Sequence, residues 1–179
     1  MKSLKKIGIL GGTFDPPHKG HLLIAKSAIK KLNLSILFWA VTKQNPLKKK
    51  TYLALKKRIF LSKKTVKKTK KIRVKHFDSL IKSSKTINLI KYIKKNNKTA
   101  KIYFIMGSDN LLNLHKWNSW KKILQLCQIV VFPRKGSDNK AKKTPIIKHL
   151  DGKSIIFIKN KKIDISSTKL RKYYKNKNI

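Results

Sequence analysis

Glutamate is absent from this chain, and its six acidic residues are all aspartates, set against 47 lysines and arginines for a formal net charge of +41. Without glutamate there is no H-E-x-x-H helix, so the zinc-peptidase use of paired histidines is excluded. Arginine is scarce too: only Arg58, Arg73, Arg134 and Arg171 occur, which leaves 43 lysines spread along the chain. A protein that reads nucleic-acid bases favours arginine, whose planar fork matches guanine and phosphate, and clusters it. Dispersed lysine beside many isoleucines and asparagines reads instead as an A+T-rich coding bias that saturates solvated faces, so no specific nucleic-acid partner is expected. Cysteine occurs once, at Cys127 within an apolar run. That rules out an intrachain disulfide or a cysteine-rich zinc cluster and suits a reducing cytoplasm. Long apolar runs are also missing. MKSLKK leads into a short strand without the apolar segment of a signal peptide, and nothing approaches the roughly 18 apolar residues of a membrane crossing. A soluble cytoplasmic protein without membrane contact is expected. The 179 residues suffice for one domain with its own core, and no repeat or linker divides 1–179.

What is present is concentrated in IGILGGTFDPPHKGHL, Ile7 to Leu22. The apolar run Ile7 to Leu10 has the length and flanks of a buried parallel strand, and Gly11-Gly12 predicts a sharp backbone turn beside a ligand. Pro16 and Pro17 suit a helix N-terminus, where a missing amide hydrogen costs little. His18 and His21 then fall in the first helical turn and leave the same face. Gly20 between them costs the helix about 1 kcal/mol relative to alanine, which close approach by a ligand would justify. A strand, a glycine turn and a helix start together make an anion site, with phosphate as the natural guest. The spacing matches neither the dinucleotide G-x-G-x-x-G fingerprint nor the Walker loop, which argues against a dehydrogenase or a P-loop ATPase. It is an H-x-G-H pattern. GGTFDPPHKGH resembles the signature of the nucleotidyltransferase branch of the α/β phosphodiesterase superfamily, and within it most resembles the bacterial nicotinate-nucleotide adenylyltransferases.

Along the rest of the chain, Leu22, Ala25, Ile29 and Leu32 keep a helical period, and Leu34 to Val41 is nearly all apolar and reads as a second buried strand. TKQNPLKKK follows at that strand's carboxyl end, where open α/β sheets place ligands; the resemblance implies that Asn45 and Lys48 hold the mononucleotide phosphate, although lysines in this chain are commonly solvated. A helix over Tyr52 to Val66, a strand over Ile72 to Val74 and a helix over Thr86 to Ile93 are expected next. The resembled family often has Tyr-Thr before that last helix, contributing backbone contacts to the nicotinate carboxylate. Here the pair is Lys85-Thr86, which leaves Thr86 as a backbone contact or a helix cap. Lys101 to Met106 is a further buried strand. Gly107-Ser-Asp109 follows it before a helix over Asn110 to Leu114, with Asp109 placed to accept ribose hydroxyls or to cap. Trp117 matches the family's tryptophan that stacks on the pyridine ring, and Trp120 is assigned to the core. Ile129 to Pro133 predicts another strand, Arg134 to Lys148 a loop-rich stretch without chemistry, and Ser154 to Ile158 a terminal strand.

The last motif is ISSTKLR, Ile165 to Arg171. Ser and Thr mark a helix start, Ser167 and Arg171 are i,i+4 on one face, and no acid answers the helix dipole, as expected where an external phosphate does so. ISSTKLR is similar to the family's I-S-S-T-x-x-R signature for triphosphate binding. The implied fold is a Rossmann-like, doubly wound parallel sheet of about five or six strands with helices on both faces. The implied reaction is transfer of the adenylyl group of ATP to nicotinate mononucleotide. His18, His21 and Arg171 are the expected catalytic residues. Gly11, Gly12, Thr13, Phe14, His18, His21, Gly107, Asp109, Ser166, Ser167 and Arg171 are the expected ATP contacts; Asn45, Lys48, Thr86, Trp117 and Asn118 are those for the mononucleotide. Mg²⁺ is expected to come with ATP, not to a protein metal site. Pantetheine phosphate or nicotinamide mononucleotide as acceptor, and a lysine-rich RNA-binding module, are the alternatives.

Overall fold

Runs of Ile, Leu, Val and Phe flanked by glycine and lysine become the central strands of the sheet, largely buried on both faces as expected of a parallel sheet covered by helices, while the two edge strands stay partly exposed. The computed structural model describes residues 4–45, 50–134, 137–142, 144, 146–147, 155–158, 167–168 and 170–171. Within them the elements alternate: β1 Lys6–Gly12, α1 Lys19–Leu32, β2 Ile36–Val41, α2 Leu55–Val66, β3 Ile72–Lys75, α3 Thr86–Lys95 and β4 Lys101–Gly107. After β4 come α4 Ser108–Leu111, a 3-10 turn Leu114–Lys116, α5 Trp120–Leu126, β5 Gln128–Phe132, α6 Asp138–Lys142 and β6 Ile155–Phe157. The sheet has six strands in the order β3-β2-β1-β4-β5-β6, all pairings parallel, with Ile7 opposite both Ile36 and Ile102. The strand order reverses between β1 and β4, and the crevice there is where such sheets bind ligands. No helix among the described residues is long and apolar enough to cross a membrane.

Alternation along β4 divides the core between the two faces. Ile102, Phe104 and Met106 pack with Ile87, Ile90 and Ile93 of α3 and with Ile123 of α5. Tyr103 and Ile105 pack with Ile24, Ala25 and Ala28 of α1 and with Val66 of α2. The doubly wound expectation holds, but the buried stripe of α1 is shifted from the expected one: Ala25 is buried with Ile24 and Ala28, while Leu22, Ile29 and Leu32 are half-buried at its margin.

Several boundaries differ from the sequence reading, each for a local reason. The sharp turn after β1 is not at Gly11-Gly12, which finish the strand, but at Phe14, whose φ is 48°. Pro16 and Pro17 precede the helix instead of opening it: the Asp15–Pro16 peptide is cis, and His18, extended at φ −150°, is the N-cap of α1. His18 is therefore outside the first turn and His21 inside it. Strand β2 starts late because Asn33 caps α1 in the left-handed conformation and the Leu34 amide is taken by Ile29 O at 3.0 Å. The helix after β4 begins at Ser108, not Asn110. The stretch expected to be loop-rich contains α6, whose Ala141 is fully buried, followed by buried Ile146.

Candidate active site

The amino end of α1 sits at the carboxyl edge of the sheet, and its cap is built from two histidines. The His18 amide donates to His21 Nδ1 at 3.3 Å, so a neutral His21 carries its proton on Nε2. The two rings stack with centroids 3.7 Å apart and planes 29° apart. His18 is 8% exposed, and neither of its ring nitrogens has a hydrogen-bond partner. Burial, reinforced by the positive charge of Arg134, pushes its pKa down from 6.5 to about 4. At neutral pH it is therefore an uncharged imidazole with an unsatisfied donor and acceptor, an arrangement that costs about 1–3 kcal/mol unless a ligand supplies the partner. Beneath the pair lies an aromatic floor: Phe14 stacks on Trp39 at 4.5 Å, and both meet His21 edge-on. The Phe14 ring is buried, so this residue offers a ligand only its backbone.

The turn that delivers His18 is anchored on two sides. The buried Asp15 carboxylate accepts the amides of Tyr52 at 2.6 Å and Leu53 at 2.9 Å. From the C-terminal side, Ser167 Oγ donates to Pro16 O at 3.0 Å and Arg171 Nη1 to Asp15 O at 2.6 Å. The shared face of Ser167 and Arg171 is thus directed at the histidine turn, and the Arg171 side chain stays about one-third exposed, at 32%. Ser166 and Lys48 lie outside the described residues.

At the end of β4, Gly107 caps α4. A Cβ there would collide with Asp109 Oδ1 and stand 3.3 Å from Arg134 Cδ, which explains the glycine. Asp109 Oδ2 accepts from Arg134 Nη1 at 2.8 Å, while its Oδ1 is buried without a partner. Ser108 does not cap: its Oγ accepts the Arg134 amide at 2.9 Å and bonds Ser137 Oγ at 2.7 Å. Sequence reasoning gave Arg134 no role. The available signal was an arginine just past a buried strand, at the ligand edge of a chain with few arginines.

A cavity of about 280 Å³ opens beside β1, and it gathers Gly11, Gly12, Thr13, Asn45, Thr86, Trp117 and Asn118, all expected from the sequence. His18, His21, Gly107, Asp109, Ser167 and Arg171 do not line it. Gly11 to Thr13 form the seam between the cavity and the histidine pair. Trp117 stands edge-on to Phe104, centroids 5.9 Å apart, closing one wall. Thr86 is the first residue of α3 and Lys85 its cap, so Thr86 presents its amide and does not cap. The lining also includes Phe77, Asp78 and Leu89, which were not foreseen. Asp78 holds the loop after β2, accepting Thr42 Oγ1 at 2.7 Å and the Lys43 amide at 2.8 Å.

The cytidylyltransferase-like family model matches residues 9–173. The probable nicotinate-nucleotide adenylyltransferase of Pelagibacter ubique (strain HTCC1062) is 49% identical over 167 residues, spanning 93% of this chain and 92% of that protein. Its counterpart in Rhizobium meliloti (strain 1021) is 39% identical over 132 residues, 73% of this chain and 70% of that one. Among solved structures, Plasmodium falciparum nicotinic acid mononucleotide adenylyltransferase complexed with NaAD superposes with a TM-score of 0.76 at 22% identity, covering 94% of this chain and 83% of that one. At that identity the likeness speaks for the fold. The family match and the Pelagibacter relative each run almost the length of the chain: it belongs to the cytidylyltransferase-like family and, within it, to the nicotinate-nucleotide adenylyltransferases.

Proposed function

We propose that this protein transfers the adenylyl group of ATP to nicotinate mononucleotide, forming nicotinate adenine dinucleotide and pyrophosphate in NAD biosynthesis. The observation that carries this reading is the seam: a buried, neutral His18 without protein partners sits at a helix N-terminus, and Gly11 to Thr13 join it to a cavity walled by Trp117. The 5′-phosphate of the mononucleotide attacks the α-phosphorus of ATP. A new P–O bond forms there, the α–β bridging bond breaks, and its electrons leave on pyrophosphate. No side-chain nucleophile is required, so the protein acts by alignment and by donors aimed at developing charge. His18 and His21 donate to phosphoryl oxygens, and Ser167 and Arg171 hold the leaving pyrophosphate. A Mg²⁺ ion would neutralise charge between the phosphates. Such an ion would be held largely by substrate oxygens and water. The cytoplasm, where the buried Cys127 thiol stays reduced, is the proposed compartment.

Trp117 can stack on nicotinate or nicotinamide alike, so stacking does not choose between them. The choice falls to backbone amides around Thr86 and Asn118: a carboxylate only accepts, whereas an amide turns a donor toward them and leaves bonds unmade, at about 1–3 kcal/mol for each buried group. The acid should be preferred by at least roughly tenfold. The experiment follows pyrophosphate release from ATP with nicotinate mononucleotide, nicotinamide mononucleotide and pantetheine phosphate, and repeats it with Trp117→Ala. The reading stands if the acid leads and the variant loses rate on both pyridines while keeping the preference. It fails if another acceptor matches the acid, or if only salt-sensitive RNA retention without ATP turnover is found.

A further inference from the structure

Arg58 on α2 is 1% exposed, and its guanidinium is given over to backbone carbonyls. Nε donates to Leu53 O at 3.0 Å, Nη1 to Thr13 O at 2.6 Å and Thr42 O at 2.8 Å, and Nη2 to Lys43 O at 2.8 Å. Thr13 belongs to the turn after β1 that leads into Asp15 and His18. Thr42 and Lys43 belong to the loop after β2 that forms the opposite wall of the cavity, and Leu53 precedes α2. Burial lowers the pKa of the guanidinium, and the charges of Asp15 and Asp78 counter that; arginine stays protonated throughout. Those two carboxylates grip the same segments from the other side, Asp15 through the Tyr52 and Leu53 amides and Asp78 through Thr42 and Lys43. A buried cation between two carboxylates thus ties three separate stretches of backbone at one point.

We propose that Arg58 is a positioning residue for adenylyl transfer: by holding the carbonyls of Thr13, Thr42 and Lys43 on one planar group, it sets the separation between the histidine turn and the mononucleotide wall. This rests on the function proposed above. In-line transfer needs the attacking and leaving oxygens held on opposite sides of one phosphorus, and misplacement by about 1 Å from a remote substitution can cost about a hundredfold in rate. Lysine keeps the charge but brings a single nitrogen, which cannot span carbonyls fixed in a fork.

The test compares Arg58→Lys and Arg58→Gln with the parental full chain by amide hydrogen exchange, and by kcat with ATP and nicotinate mononucleotide both saturating. Exchange should quicken at Thr42, Lys43, Tyr52 and Leu53 while β4 and β5 keep their protection, and kcat should fall about tenfold or more. In a His18→Ala background the same lysine substitution should cost less than about threefold, because the alignment it disturbs is already without its donor. Unchanged exchange at those amides, protection lost evenly across the sheet, failure of both variants to fold, a parental kcat, or costs that simply multiply would each overturn the proposal. Should the parental protein prove inactive on ATP and nicotinate mononucleotide, the functional reading falls. Amide exchange then decides the clamp alone, selective quickening for it and uniform or absent quickening against it.

Discussion

His18 is the residue at which burial and the proposed chemistry meet. Its nitrogens have no protein partner, so replacing it should leave the fold intact while removing the donor proposed for the transferring phosphoryl group. His18→Ala and His21→Ala should both remain folded and lose about 10²–10³ in kcat, or roughly 2.7–4 kcal/mol of transition-state stabilisation, read from pyrophosphate release. Near-parental turnover in both would displace the site. The same burial makes stability depend on pH. The folded-state pKa of about 4 lies below the ordinary 6.5, so the unfolded chain takes up the proton first. Stability contributed by the neutral ring is complete above about pH 6.5, declines as pH falls, and is lost by pH 4, amounting to about 3 kcal/mol at 1.36 kcal/mol per pKa unit. His18→Gln should flatten the melting-temperature profile across that window; parental and variant profiles of the same shape would show that His18 does not titrate there.

At the scale of elements, the C-terminal motif reaches back to the first turn. Arg171 contacts Asp15 O and Ser167 contacts Pro16 O, so the two signature stretches at opposite ends of the chain form one surface. Arg171→Ala should raise KM for ATP far more than KM for the mononucleotide, and Arg171→Lys should recover only part of the loss, because a point charge lacks the planar fork. Two-substrate kinetics will show equal losses if Arg171 serves neither substrate selectively. What was legible in the sequence divides along the same lines. Strands such as Lys101–Gly107 were found almost to the residue, because a parallel strand buried on both faces is a nearly unbroken apolar run. The start of α1 was misplaced because its cap is histidine, outside the usual capping residues. Helix α6 escaped because lysine-rich surroundings hide the burial of Ala141. The cavity wall from Gly11 to Asn118 could be assembled from motifs, but Asp78 and Arg58 could not. Their roles depend on carbonyls and amides far away in sequence, and no local pattern records such partners.

For the whole molecule, the missing acids shape the field around the site. Helices α1, α2 and α3 have no acidic residue in their first turns, and all three begin at the sheet edge that holds the histidines and the cavity. Asp109, the acid in the first turn of α4, is ion-paired with Arg134. Asp15 and Asp78, also at that edge, face the buried Arg58, so the ends of α1 and α3 and the exposed Lys85 and Lys116 beside the cavity have little to offset them. Association of ATP should weaken with ionic strength, and kcat/KM for ATP should fall steadily between low and physiological salt, where the screening length shortens to about 8 Å. The positive field at that edge has a second effect, on departure. Pyrophosphate and the dinucleotide are themselves polyanions, held by the same field after the bond has moved, so turnover in dilute buffer should be governed by how quickly the products escape. Added salt should then raise kcat even as it lowers kcat/KM, and pyrophosphate should inhibit most strongly where the buffer is weakest.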